Sequence, residues 1–160
     1  MSHALSFRPI TGQDAFFLRK VYGSTRWEEL NKVAWSDEEK EAFLDMQFQA
    51  QHTYYQEHYA DADYLIIFAG RQPAGRLYLH RREDEIRVVD IALLPEFRNQ
   101  GIGTIIFRDI FHEAGEKGLP VRIHVEQMNR TQSLYQRLGF AKIGEHGIYD
   151  FLEWRPDAAR

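Results

Sequence analysis

Leu93-Leu94-Pro95-Glu96-Phe97-Arg98-Asn99-Gln100-Gly101-Ile102-Gly103-Thr104 is the stretch that decides how this sequence folds. Behind it, residues 86–94 are nearly all apolar, as expected of a central strand covered on both faces. Ahead of it, Ile102, Ile105, Ile106, Ile110, Phe111 and Ala114 recur at helical spacing until Gly118 and Pro120 stop the helix. A buried strand that ends in a two-glycine loop and opens a long helix leaves unpaired amides at the positive end of the helix dipole. Glycine lets backbone approach a ligand closely, and Arg98 is expected to add a fixed cation beside those amides. The segment suits phosphate or pyrophosphate. Two better-known phosphate loops do not fit. No lysine follows Gly103, as a Walker loop requires, and Ile106 stands where a dinucleotide fingerprint has its third glycine.

Downstream, residues 121–126 alternate, so that Val121, Ile123 and Val125 share one face of a strand while Arg122, His124 and Glu126 share the other. A short helix over residues 131–138 follows, then strands near residues 141–144 and 148–154. Upstream, residues 5–9 read as a short strand, and Asp14 as the cap of a helix that Gly23 ends; a second helical piece spans residues 27–33. Ser36 and Glu39 form a capping box for a helix running to about Tyr59. Residues 64–69 and 75–82 read as strands, the second half-buried with Leu77 and Leu79 inward. Several strands ahead of one strand-helix-strand crossover predict an α/β fold on a mixed, largely antiparallel sheet.

Arg98-Asn99-Gln100-Gly101-Ile102-Gly103 resembles the Arg/Gln-x-x-Gly-x-Gly/Ala signature of the GNAT superfamily of N-acetyltransferases. Asn129, Leu134-Tyr135 and Leu138-Gly139-Phe140 resemble that family's second signature, in matching order and spacing. The resemblance covers roughly residues 86–154, with the cofactor motifs in 86–140. It implies a single GNAT-like domain over residues 1–160, with 156–160 a loose tail, and a β-α-β-α unit that binds acetyl-CoA. Backbone amides of Arg98, Asn99, Gln100, Gly101, Ile102, Gly103 and Thr104 are then expected to cradle the pyrophosphate. Ile91 and Leu93 are expected to pair with the pantetheine arm, where the family splays this strand from the next. Asn129 is expected to hydrogen-bond the arm, and Tyr135 to lie near the sulfur.

Transfer of acetyl to a primary amine needs a neutral amine, although a lysine-type amine has a pKa of about 10.4. It also needs donors for the tetrahedral oxygen, here a backbone N–H near Leu93, and a donor for the departing thiolate. Tyr135 is the candidate for the last role. His124, which titrates near neutrality, is the candidate base, with Glu126, Asp90 and a water chain as alternatives. Asp90 lies in an apolar run, where an arginine partner is the plainer expectation. Arg26, Trp27, Glu28, Trp35 and residues 145–149 are candidates for the acceptor pocket, and either a small molecule or a peptide would serve as acceptor. A non-catalytic acyl-CoA-binding module, a longer acyl group and a hydroxyl acceptor remain open readings.

Composition narrows the classes. The 160 residues carry 20 basic and 24 acidic groups, a net charge of -4, so no nucleic-acid-binding field is expected. Cysteine is absent, which excludes disulfides, thiolate metal sites and an acetyl-cysteine intermediate. No His-Glu-x-x-His helix or other metal spacing occurs. Residues 1–9 lack the pattern of a signal peptide and no apolar run approaches a membrane span, so a soluble cytoplasmic protein without a membrane partner is expected. An aromatic edge near Tyr149 and Trp154 is expected to suit a homodimer.

Overall fold

The computed structural model describes residues 4–156. In chain order the elements are β1 (Leu5–Pro9), α1 (Ala15–Leu30), α2 (Asp37–His58), β2 (Asp63–Ala69), β3 (Gln72–Arg81), β4 (Ile86–Leu93), α3 (Ile102–Lys117), β5 (Val121–Glu126), α4 (Gln132–Leu138), β6 (Ala141–His146) and β7 (Tyr149–Trp154). The strands form one sheet in the order β1-β2-β3-β4-β5-β7-β6. β4 pairs with β5 in parallel, whereas β1–β2, β5–β7 and β6–β7 are antiparallel. This is the mixed α/β sheet expected from the sequence. The expected tail at 156–160 lies, beyond Pro156, outside the described residues. Two compact units make up the chain, one running to Leu77 and including Ile91–Arg98, the other comprising Tyr78–Asp90 and everything from Asn99.

In the first unit, α1 is continuous through Gly23, where the sequence suggested a stop, and it takes in residues 27–30 of the piece expected at residues 27–33, while residues 31–33 are turn and bend. The glycine faces α2 instead. A Cβ there would lie 2.8 Å from the Arg19 guanidinium and 3.6 Å from Leu44 of α2. Leu18, Tyr22 and Leu30 of α1 form a core with Leu44 and Phe48 of α2 and Ile66 of β2. Asp14 does not cap α1 through its side chain. It closes a capping box with Thr11 on a 3-10 turn, Gly12–Asp14, and bonds Arg8 at 2.8 Å, which holds its carboxyl down to about 2. The Ser36–Glu39 box is present as expected, both bonds at 3.1 Å. Residues 74–79 of β3 are buried on both faces rather than half-buried.

In the second unit, Ile102, Ile106, Phe107, Ile110 and Ala114 of α3 are buried, while Ile105 at 39% exposure turns away from the expected stripe. Val121, Ile123 and Val125 of β5 are buried and Arg122, His124 and Glu126 are not, as the alternation predicts. Trp154 is 7% exposed and stacks on Phe111 at 4.2 Å between centroids. The aromatic edge expected near Tyr149 and Trp154 is therefore reduced to Tyr149, because β6 covers the outer side of β7. Glu85, 4% exposed, is bonded by Arg87 at 2.7 Å and by Arg122 at 3.1 Å. Burial alone would raise its pKa, but the bonds from Arg87 and then Arg122 bring it below the ordinary value.

Ser36→Ala removes the acceptor of the Glu39 N–H and is expected to cost about 1 kcal/mol of stability, read as a shift in the urea midpoint. A midpoint equal to the wild type's would mean that the box contributes nothing to α2.

Candidate functional site

The end of β4 is irregular, and hydrogen bonds locate the irregularity. At the β3–β4 turn the Arg82 N–H donates to the Glu85 carbonyl at 2.9 Å. Regular antiparallel pairing from there would set Leu93 against Ala74. Instead the Leu94 N–H donates to the Ala74 carbonyl at 2.9 Å. β4 therefore carries one residue more than β3 opposite it, a β-bulge. Gly75 lies under it. A Cβ on Gly75 would fall 2.1 Å from the Ala92 carbonyl oxygen and 3.0 Å from the Leu93 Cα, so the backbone of β4 occupies the place of a side chain. Sequence reasoning missed Gly75; the available signal was a glycine inside an alternating strand.

Pairing of β4 with β5 runs from Ile86↔Val121 to Val88↔Ile123. Residues 89–93 of β4 and 124–126 of β5 lie beyond the last pair.

The chain then makes a 3-10 turn, Pro95–Phe97, and extends at Arg98. Asn99 and Gly101 both adopt left-handed conformations, with φ of 60° and 82°. Together they swing the chain into α3, whose N-cap, Gly101, offers no side-chain cap. The Ile105 N–H makes the helix's bond to the Gly101 carbonyl at 3.1 Å, so the amides of Ile102, Gly103 and Thr104 precede the ladder. No acidic residue occupies the first turn. A Cβ at Gly103 would be 3.8 Å from Leu134, so the glycine is not forced by packing at that point. Arg98, expected as a cation beside these amides, directs its side chain elsewhere: Nε donates to the Leu93 carbonyl at 2.9 Å and Nη2 reaches Ser24.

The remaining candidates lie in the second unit. The Asn129 carboxamide oxygen accepts from the Thr131 N–H at 2.8 Å and hydroxyl at 2.6 Å, an Asx turn that starts α4. Tyr135 is 5% exposed and lies edge-on to Phe107 and Phe140, with centroids 5.5 and 5.6 Å away. Burial pushes its phenol up to about 12, against a bond with Thr131 and with help from the Asp90 charge. Asp90 is itself half-buried. His124 is exposed but stacked on Phe151 at 4.4 Å, and Arg87 lies 4.9 Å over the same Phe151 ring. Partial burial and then the Arg87 and His146 charges lower the His124 pKa below its ordinary value, with Glu85 opposing. The imidazole is therefore neutral at neutral pH. Phe151, which holds it, had no signal beyond an aromatic residue on an alternating strand.

Among the described residues no group of three or more His, Cys, Asp or Glu is placed to hold a metal ion, and no helix is long and apolar enough to cross a membrane.

Residues 25–140 match the family described as the acetyltransferase (GNAT) family. Among solved structures, the PaiA N-acetyltransferase of Thermoplasma acidophilum in complex with coenzyme A is 19% identical, with a TM-score of 0.70, over 95% of this chain and 99% of that one. An acetyltransferase from Thermus thermophilus is 17% identical, with a TM-score of 0.69, over 97% of this chain and 99% of that one. A GNAT family acetyltransferase from Elizabethkingia anophelis with acetyl-CoA bound is 17% identical, with a TM-score of 0.58, over 94% of this chain and 97% of that one. At these identities the likeness is one of fold. No curated protein matches the sequence.

Gly75→Ala forces residues 92–93 to move and is expected to cost about 1–3 kcal/mol in a denaturant titration, the range for overpacking a well-filled site. An unchanged midpoint would mean that β4 yields without cost at this point.

Proposed function

This chain belongs to the GNAT family of acetyltransferases, and from that premise we propose that it moves an acetyl group from acetyl-CoA to a primary amine by direct attack of the amine on the thioester. The observation that carries the reading is the loop: two left-handed residues deliver an uncapped helix N-terminus, free of acidic side chains, at the end of a bulged strand. Amides there suit a diphosphate, because donors and helix dipole point at the same place. Asn99, Gln100, Gly101, Ile102, Gly103 and Thr104 would supply them, whereas the Arg98 N–H, expected among them, donates to the Pro95 carbonyl at 3.2 Å. Ile91 and Leu93 would receive the pantetheine arm, and Asn129 would donate to it through Nδ2. A backbone N–H near Leu93 would bind the developing oxyanion. One domain comprising both units is part of this reading, and the absence of cysteine suits both direct attack and a reducing cytoplasm.

His124 would accept the proton of the amine, directly or through water, since its lowered pKa keeps it neutral at the working pH. Tyr135 would face the leaving sulfur. A phenol at about 12 cannot readily protonate a thiolate whose conjugate acid lies near 8.5; full transfer is uphill by roughly 5 kcal/mol. Tyr135 would therefore act as a hydrogen-bond donor to the thiolate, and burial keeps it protonated for that purpose.

Calorimetry with acetyl-CoA tests the proposed use of this donor, and absence of binding would sink it. An amine screen read by thiol release identifies the acceptor. With that acceptor, Tyr135→Phe is expected to lower kcat by about tenfold or more with little change in the acetyl-CoA KM. Unchanged turnover would remove Tyr135 from the chemistry. The pH profile of kcat/KM is expected to fall on the acid side below the ordinary histidine value, with no alkaline limb from Tyr135 near neutrality. His124→Ala should abolish the acid limb; a limb that persists assigns it to another group.

A further inference from the structure

Arg98 stands where a phosphate-binding cation would be expected, yet its guanidinium is committed to the end of β4. Nε donates to the Leu93 carbonyl at 2.9 Å, and Nη2 reaches the Ser24 carbonyl at 3.4 Å and the Ser24 hydroxyl at 3.3 Å. Ser24 donates its own hydroxyl proton to the Val21 carbonyl at 2.7 Å, so its oxygen is presented to Arg98 as an acceptor. The side chain thus spans from α1 to the residue that follows the β-bulge. Bonds from a charged donor are stronger than neutral ones. Extended backbone at Arg98, set by the Pro95–Phe97 turn, brings the side chain back over the five residues that separate it from Leu93.

From the other side, Gly75 leaves the space that the Ala92 carbonyl occupies. The bulged segment is consequently held from two directions, by an absent side chain on β3 and by a guanidinium bonded to its last carbonyl. We propose that Arg98 is a positioning residue, which fixes the backbone of residues 91–93 for the thioester through its bond to Leu93, and that it is not a cationic ligand of the pyrophosphate. This rests on the acetyltransferase reading for its functional half; the mechanical half stands on the apo protein alone. Displacing reacting groups by about 1 Å can lower a rate about a hundredfold while binding made elsewhere persists.

Three variants, Arg98→Lys, Arg98→Met and Ser24→Ala, separate the two roles. Lysine keeps the charge but lacks the Nε donor and the planar fork. CoA affinity is measured by calorimetry at low and high salt, thiol release from acetyl-CoA is followed with n-butylamine as a minimal acceptor, and amide hydrogen exchange is recorded without ligand. Both Arg98 variants are expected to bind CoA within about threefold of wild type with the same salt dependence. Both should lose about tenfold or more in thiol release and exchange residues 91–94 about tenfold faster. Ser24→Ala, which removes the hydroxyl contact of Nη2 and leaves that with the Ser24 carbonyl, should show the same pattern at smaller amplitude and serves if an Arg98 variant does not fold. A large loss of CoA affinity in Arg98→Met that Arg98→Lys restores would overturn the proposal in favour of a phosphate cation. Unchanged exchange at residues 91–94 would overturn it as well. Wild-type protein that binds no CoA would instead refute the acetyltransferase reading, and the exchange measurement would still decide whether Arg98 holds the strand.

Discussion

A carbonyl oxygen occupying the place of a side chain governs the end of β4. The Ala92 oxygen lies 2.1 Å from where a Cβ on Gly75 would be, so only glycine at that position admits the observed path. From this one constraint follow the extra residue in β4, the Leu94 bond to Ala74 and the direction in which the chain leaves the sheet. The Pro95–Phe97 turn continues from that exit. Bulges re-aim a strand's backbone next to sites where a ligand approaches, and this one precedes the only glycine-spaced loop singled out in the sequence.

The first half of β4 is anchored by different means. Arg87 and Arg122 face each other in register on the paired strands and share the buried Glu85, while Arg122 also reaches Glu153 at 2.9 Å. Two adjacent guanidinium groups on neighbouring strands would repel without that carboxylate between them. His124 borrows from the same network: Phe151, over which Arg87 lies, is the ring on which the imidazole stacks.

Features carried by local backbone demands were legible in the sequence. Ser36 and Glu39 announced a capping box three residues apart, and strict alternation over residues 121–126 announced which side chains of β5 are buried. Features that depend on a distant partner were not. Gly23 looked like a helix stop because nothing local reveals that Leu44 packs against it. Gly75, a glycine inside an alternating strand, signalled a bulge or a close approach, but not that backbone some seventeen residues on would supply it. Arg98 was legible as a member of the loop motif, but the direction of a long side chain is decided by Leu93 and Ser24. Trp154 was misplaced at an edge because the strand order runs β5-β7-β6 and not in chain sequence.

The same tryptophan gives the molecule a built-in optical division. Trp154 lies buried against Phe111 in one unit, whereas Trp27 and Trp35, 42% and 41% exposed, belong to the other. An indole shielded from water emits to the blue of one in contact with it, and only the outer pair is open to aqueous quenchers. The emission spectrum of the native protein is therefore a sum of two populations that report on separate parts of the chain, so that loosening of either unit can be followed without any added label.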